Sequence, residues 1–403
     1  MSIKDKLGMY GAGQKKPAAP VPAPGEGLSF GELALVQKAP YVYERVIVSE
    51  DAQRGERSLA SYYPFSVTGI LELSLSGHAD AVHPEELLFL DTETTGLSRG
   101  AGTFPFLVGL GHLHNSKFVV RQLLLTSAAG EAAFLEEIQR SVRERPFLVT
   151  YNGKSFDVPL IRNRLILVRD RLQAPVQHFD LFHILRRLYP HKRLTGYKQK
   201  DLEQELLGSE RGNDIEGSAI PQIYFDYVKY GTDTGMASII EHNWLDLVGM
   251  IFLFLEAVQI YERRDVSRKA LRSGLARVLA RNHRYAEALE VAPRFEDLPL
   301  EAAEGFHYRD ALFRAWLERR VGDFENAAAS FRTIADRCGC DYSRLSLVRL
   351  LEYRLRDFEE ALKQSQLLLS RARGEEELSA LTKRIARLEA RLSRDEKRTN
   401  VES

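Results

Sequence analysis

The sequence predicts an α/β fold with a mixed sheet flanked by helices, followed by an all-α helical domain. Three observations lead there. Between Leu87 and Asn152 the apolar runs fall in the order strand, strand, strand, helix, strand, and adjoining strands followed by a helix and a further strand build a mixed sheet with helices against it. After Phe156 the apolar spacing is mostly that of helices, and beyond Asp265 no strand pattern remains. In that last third the segments HRYAEAL (283–289), GDFENAA (322–328) and RDFEEAL (356–362) each set an aromatic three residues before an alanine.

The chain has 403 residues, more than one ordinary core of about 100–200 residues takes up, so two folded units are expected. Hydrophobic residues make up 44% and charged residues 28%, which excludes collagen-like, mostly disordered and membrane classes. Lys+Arg and Asp+Glu both number 56. With no global basic field, any site for a polyanion must come from local segregation of charge. Cys338 and Cys340 lack a second pair or a histidine set to complete a zinc site and read as free thiols of a reducing cytoplasm, where we expect the protein. No early apolar run forms a secretory signal, and the apolar stretch Leu247 to Leu255 is too short to cross a bilayer of about 30 Å.

In chain order, residues 1–28 carry PAAPVPAPGEG and read as a flexible leader. Residues 29–84 hold YVYERVIV and TGILELSL, whose alternation predicts half-buried strands in a small β-rich element. Residues 85–262 form the α/β domain: LLFLDTET, FPFLVGLGHL and KFVVRQLLL as strands, EAAFLEEIQRSVRER as a helix, FLVTYN as a strand, then IPQIYFDYVKYG and SIIEHNWLDLVGMIFLFLEAVQIYERR as helices. Gly109-x-Gly111 lies inside a strand run without a dinucleotide fingerprint and reads as close packing. Residues 265–392 form the helical domain and 393–403 a polar tail. Within the helical domain Tyr285, Phe324 and Phe358 stand 39 and 34 residues apart, near the ~34-residue period of tetratricopeptide helix pairs. The tryptophan-leucine signature of that repeat is missing, so an ordinary set of amphipathic helix pairs competes evenly with a degenerate tetratricopeptide-like array.

The acids carry the chemistry. Asp91 and Glu93 are two apart at the end of the first central strand and project to one face. A pair of strand-end acids is also common on solvated rims. Asp157 follows Tyr151-Asn152-Gly153-Lys154-Ser155-Phe156, where Asn152 and Gly153 supply a turn and Phe156 is expected to anchor it in the core. His242 and Asp246 are offset by four on an apolar helix and share a face. A carboxylate on such a face is costly unless paired or bound to metal.

Asp91, Glu93, Asp157 and Asp246 occur in the order, and within the local sequences, of the three motifs of the DEDD 3′→5′ exonuclease superfamily. More narrowly, LLFLDTETTGLSRGAGTFPFLVGLG, LVTYNGKSFDVPLIRNRL, HFDLF, DLEQELLG and HNWLDL resemble the YprB-like ribonuclease H-like family, over about residues 85 to 256. The resemblance implies a ribonuclease H-like fold and a metal-dependent nuclease, most of all a 3′→5′ exonuclease, with Asp91, Glu93, Asp157 and Asp246 holding two Mg²⁺ or Mn²⁺ ions and Asp91 bridging them. Such oxygen ligands suit these hard cations, and two ions about 3.5–4 Å apart clamp an in-line phosphoryl displacement. His242 departs from the superfamily's third motifs, standing as a histidine at the tyrosine spacing. It is a candidate to orient or deprotonate the attacking water, against a purely structural hydrogen bond. Asp180 in HFDLF matches a recurring aspartate of the family and reads as structural, because the four-acid set is already complete.

Between Arg162 and Lys200 ten Lys/Arg stand against two acids. Arg162, Arg164, Arg186, Arg187, Lys192, Arg193, Lys198 and Lys200 are the nucleic-acid-binding candidates, with Tyr189 and Tyr197 among them to stack unpaired bases. The expected partner is therefore nucleic acid, DNA or RNA, and the family resemblance implies a single-stranded 3′ end. The helical repeats are a place for a protein partner. Two rival readings stand beside this one: a scaffold that grips nucleic acid and uses the helical repeats to bind proteins, and a structure-specific endonuclease.

Overall fold

The computed structural model describes residues 27–75, 81–96, 102–171, 175, 177–190, 196–212, 214–264, 269–295, 298 and 305–402. The expected leader lies almost wholly outside them, as do Lys192 and Arg193. The chain divides into two compact units, Met1–Arg186 with Lys192–Asp265, and Arg187–His191 with Val266–Ser403.

The first unit is built on an eight-stranded mixed sheet in the order β1-β2-β3-β8-β7-β6-β9-β10. Its strands are β1 (Leu28–Phe30), β2 (Leu33–Ala39), β3 (Val42–Ser49), β6 (Leu87–Thr94), β7 (Pro105–His114), β8 (Lys117–Leu125), β9 (Phe147–Thr150) and β10 (Gln177–Asp180); β4 (Gln53–Arg54) and β5 (Arg57–Ser58) form a separate small ribbon. The pairs β6/β9 and β9/β10 are parallel and the others antiparallel. β7 and β9 are buried along nearly their whole length, which is why they read as continuous apolar runs. The edge behaves differently. Val36, Val46 and Val48 face solvent while Leu35, Val42 and Tyr43 are buried, and β3 pairs with β8 along its full length. The N-terminal strands therefore extend the central sheet.

One strand expectation fails. TGILELSL contains helix α1 (Gly69–Ser74), not a strand. Ile70 and Leu73 are buried at a spacing of three. The Glu262 carboxylate accepts from the Gly69 N–H at 3.1 Å and from the Ser66 and Thr68 hydroxyls, so a partner remote in sequence satisfies the start of the helix.

The remaining helices of this unit are α2 (Glu131–Glu144), α3 (Asp157–Leu167), α4 (Leu181–Leu188, whose last two residues fall to the second unit), α5 (Gln199–Leu207), α6 (Ile220–Tyr230) and α7 (Met236–Arg263). Leu88 and Leu90 of β6 share a core cluster with Phe134 and Ile138 of α2 and Ile161 of α3. Phe89, of opposite parity, meets Phe118 and Phe254 of α7 edge-on. This parity puts Asp91 and Glu93 on the α7 side of the sheet and Thr92 on the α3 side. α7 is long and apolar enough to cross a membrane by length and composition alone, but 78% of that stretch is buried inside the protein, as befits a helix apolar all round.

The second unit is helical: α8 (Lys269–Arg281), α9 (Tyr285–Val291), α10 (Gly305–Val321), α11 (Phe324–Cys338), α12 (Asp341–Leu350) continued by a π turn (Leu351–Leu355), α13 (Phe358–Leu369) and α14 (Glu375–Glu402). The sequence repeat marks a repeated corner. Tyr285, Phe324 and Phe358 are the first residues of α9, α11 and α13, and Ala288, Ala327 and Ala361 are fully buried one turn later. Asp323 and Asp357 cap α11 and α13 by accepting from the N–H groups of Asn326 and Glu360. Residues 393–402 of the expected polar tail belong to α14.

Candidate active site

The site forms where parallel strands end, the side of an open α/β sheet on which loops converge. β6 delivers Asp91 and Glu93. The turn after β9 delivers Asp157 as the first residue of α3, and α7 delivers His242 and Asp246. The structure thus brings together all five residues singled out from the sequence.

Each carboxylate has its own support. Asn243, fully buried, donates from Nδ2 to Asp91 Oδ2 at 2.8 Å. Gln122 of β8 donates to Asn243 Oδ1 at 3.0 Å and to the Ile240 carbonyl at 2.7 Å, and itself accepts from Arg45 at 3.3 Å. The relay needs a bare backbone opposite Asp91: its partner across the ladder is Gly109, and a Cβ there would lie 2.4 Å from Asn243 Oδ1. The expectation that Gly109-x-Gly111 serves close packing holds, since a Cβ at Gly111 would strike the Phe118 ring at 2.6 Å.

Asp157 accepts from the Thr92 hydroxyl. Its turn contains Asn152 in the left-handed region (φ 61°) and Gly153, where a Cβ would meet Thr150 at 2.6 Å. Asp180 holds this turn in place. Its two oxygens accept from the backbone N–H groups of Asn152 (2.8 Å), Lys154 (3.0 Å) and Phe182 (3.1 Å), in line with the structural reading. Phe156 departs from expectation: it is 51% exposed instead of anchored in the core, because Asp180, not an apolar plug, fixes the turn.

His242 sits between acids. Its Nδ1 is 2.6 Å from Asp214 Oδ1, which makes Nδ1 the donor and turns Nε2 toward Asp246 Oδ2 at 3.3 Å and Glu93 Oε1 at 3.9 Å. Ligand atoms of Glu93, His242 and Asp246 all lie within 4.8 Å of one another. Asp246 Oδ1 meets Arg211 Nη2 at 2.6 Å. The same guanidinium contacts Asp214 at 3.3 Å and the fully buried Glu203 at 2.6 Å, and Glu203 also pairs with Arg54.

The electrostatics follow from this crowding. Burial, then the charges of Asp246 and Asp157, push the Asp91 carboxyl well above its usual range. Burial, then Asp91 and its neighbours, do the same to Glu93. Burial lifts Asp157 to about 6 against the pull of the Thr92 hydroxyl, and lifts Asp246 in spite of Arg211. Burial also pushes Asp214 upward, but the hydrogen bonds from His242 and Arg211 outweigh it and hold that carboxylate low. Burial raises all four carboxylates even with Arg211 paired to Asp246, and clustered oxygen donors of this kind fit divalent cations.

The basic block is less uniform than its sequence. Arg162 on α3 and Lys198 and Lys200 at the start of α5 are exposed. Arg186 is exposed and stands 5.9 Å over the Tyr197 ring, whose backbone carbonyl accepts from Tyr151 at 2.6 Å. Arg187 is half-buried. Arg164 is held by both oxygens of Glu131 with its side chain 14% exposed, leaving few donors for phosphate. Tyr189 is buried and presents no face for stacking, which corrects its place among the stacking candidates. Asn243, Gln122, Arg211, Asp214 and Glu203 were missed from sequence. Two of them lay in segments that carry the resemblance, Asn243 in HNWLDL and Glu203 in DLEQELLG, without a role of their own.

A family model described as RNase_H superfamily matches residues 88–258. The chain is also 30% identical over 338 residues to an uncharacterized protein, YprB, of Bacillus subtilis (strain 168); the alignment takes in 80% of this chain and 78% of that relative. It is too long to be confined to the first 258 residues, so the likeness reaches into the helical unit.

Proposed function

From the premise that the chain belongs to the ribonuclease H superfamily, in the family of its YprB relative, we propose that it is a metal-dependent nuclease that removes nucleotides from a 3′ end. The observation that carries this reading is that Asp91 and Glu93 from the end of β6, Asp157 from the start of α3 and Asp246 from α7 meet in one cluster, with burial raising all four and neighbouring acids raising Asp91, Glu93 and Asp157 further, although Arg211 pairs with Asp246.

Asp91, Glu93, Asp157 and Asp246 would hold two Mg²⁺ or Mn²⁺ ions, with Asp91 central because it faces both neighbouring acids. The ions, when bound, supply an activated water and neutralise the charge that develops on the leaving 3′ oxygen. The chain does the positioning. Asn243 orients Asp91, Thr92 orients Asp157, and Asp214 fixes His242 with Nε2 toward the site. From there His242 can take the proton of the attacking water as the phosphorus–O3′ bond breaks. The products are a 5′-monophosphate and a strand shortened by one nucleotide. Among the described residues Arg162, Arg186, Lys198 and Lys200 are the exposed candidates to hold the phosphate backbone, beside Lys192 and Arg193 outside them.

The test incubates the full chain with Mn²⁺ or Mg²⁺ and end-labelled single-stranded DNA or RNA, in linear and closed circular forms. A ladder shortening from the 3′ end of linear substrate, with circles spared, is expected. Circles cut as fast as linear strands would replace the exonuclease by an endonuclease.

A further inference from the structure

The helical unit contains a cleft of about 650 Å³ formed by α10, α11, α12 and the π turn. Arg319, Arg320, Arg349 and Arg354 line it, all exposed, and no acidic residue does. Among the described residues none of these four makes an ion pair with a carboxylate. Other arginines of the unit are paired: Arg277 with Asp310, Arg314 with Glu318, Arg344 with Asp336, and Arg384 and Arg387 with Glu352. Arg319 and Arg320 in the last turn of α10 also complement the helix dipole. That does not account for Arg349 and Arg354 gathering at the same cleft, nor for the missing acids.

Flat rings share the walls. Trp316, Phe324 and Tyr353 line the cleft; Tyr353 is 55% exposed, and Arg354 stands 5.1 Å over Phe324. Tyr353 and Arg354 both belong to the π turn, a wide turn that recurs where helices are reshaped for function.

We propose that this cleft binds single-stranded nucleic acid. The four guanidiniums call for a polyanion, and the exposed Tyr353 ring, beside the half-buried Trp316 and Phe324, calls for a polyanion with exposed flat groups. An acidic peptide satisfies only the first demand, and a duplex hides its base faces. Unpaired bases stack on aromatic rings while arginines take the phosphates. The volume lies within the range of about 300–1,000 Å³ typical of ligand pockets, larger than a lone phosphate needs. None of these residues belongs to the catalytic set, so the inference stands apart from the nuclease reading.

The experiment measures fluorescence anisotropy of labelled oligo-dT and oligo-U on the full chain, in chelator so that nothing is cleaved, across a salt series. Arg349→Glu with Arg354→Glu is expected to weaken binding at least about tenfold and to flatten the slope of log K against log salt by about 1.4, two phosphate contacts at about 0.7 each. Tyr353→Ala is expected to weaken binding about 5–150-fold with little change of slope. Unchanged affinity and slope in these variants, absence of binding by the native chain, or equal displacement by a polyglutamate peptide would overturn the proposal. For variants that fail to fold, a 5-iodouracil oligonucleotide is photocrosslinked to the native chain. Adducts at Tyr353 or Trp316 support the site, and adducts confined to other residues overturn it.

Discussion

The Asn243 side chain, fully buried, donates to Asp91 Oδ2 at 2.8 Å while its own oxygen accepts from Gln122 at 3.0 Å. A neutral amide held from behind fixes the orientation of a carboxylate without adding charge to the site. Groups that hold a metal ligand in this way are typically worth 10–100-fold in metal affinity. Asn243→Ala is therefore expected to weaken Mn²⁺ binding by about that factor, read by titration calorimetry on the folded protein. Native affinity in the variant would show that Asp91 needs no such support.

The acids are expected to cost stability when no metal is bound. Asp157 is lifted from its ordinary 3.8 to about 6, so between these values the folded chain keeps a proton that the unfolded chain has released. Stability is then greatest below about pH 4 for this group and falls as pH rises through about 6. Removing the charge by Asp157→Asn is expected to stabilise the metal-free protein at pH 7 by about 1–3 kcal/mol while abolishing cleavage. Thermal melts in chelator at several pH values check the sign, and Mg²⁺ should raise the melting temperature more at about pH 7.5 than at about pH 5. Cleavage at the native rate by a folded Asp157→Asn or Asp91→Asn protein would remove these residues from the active site.

His242 and Asp214 form a dyad with 2.6 Å between Nδ1 and the carboxylate. If Nε2 takes a proton during hydrolysis, His242→Ala should lower the rate about 10²–10⁴-fold without weakening substrate binding. Asp214→Asn should lower it less, because the imidazole remains but its tautomer is no longer imposed. An unchanged rate profile from pH 5.5 to 8 in the His242 variant would assign that side chain to structure.

Gly109 faces Asp91 across the β6/β7 ladder, and a Cβ there would meet Asn243 Oδ1 at 2.4 Å and Leu247 Cδ1 at 2.5 Å. Gly109→Ala must push α7 or its side chains aside, which in a packed core costs about 1–3 kcal/mol. The loss should appear as a lower denaturant midpoint together with weakened Mn²⁺ binding. A midpoint shift without any change in Mn²⁺ affinity would separate packing at Gly109 from the Asn243 support.

Legible in the residue order are the sheet-forming runs from Leu87 to Thr150, the helical character beyond Asp265, and the acids Asp91, Glu93, Asp157 and Asp246. The runs are local patterns, since burial on both faces writes a strand as an apolar run and a helix corner writes an aromatic three residues before an alanine, whereas the acids stand out as a set only through the resemblance of their surrounding segments to a known family. The tertiary structure alone decided how those acids are held. Arg211, Asp214 and Glu203 come from α5 and the chain after it, and Gln122 from a strand two ladders away from Asp91, so no spacing in the sequence announces their meeting. The same holds for α1, a helix where alternation promised a strand, because its start is satisfied by Glu262. It holds equally for Phe156 and Tyr189, whose exposure and burial are reversed from their expected roles. Local periodicity records which face of an element is apolar, whereas hydrogen-bond partners remote in the chain are fixed only when the elements pack.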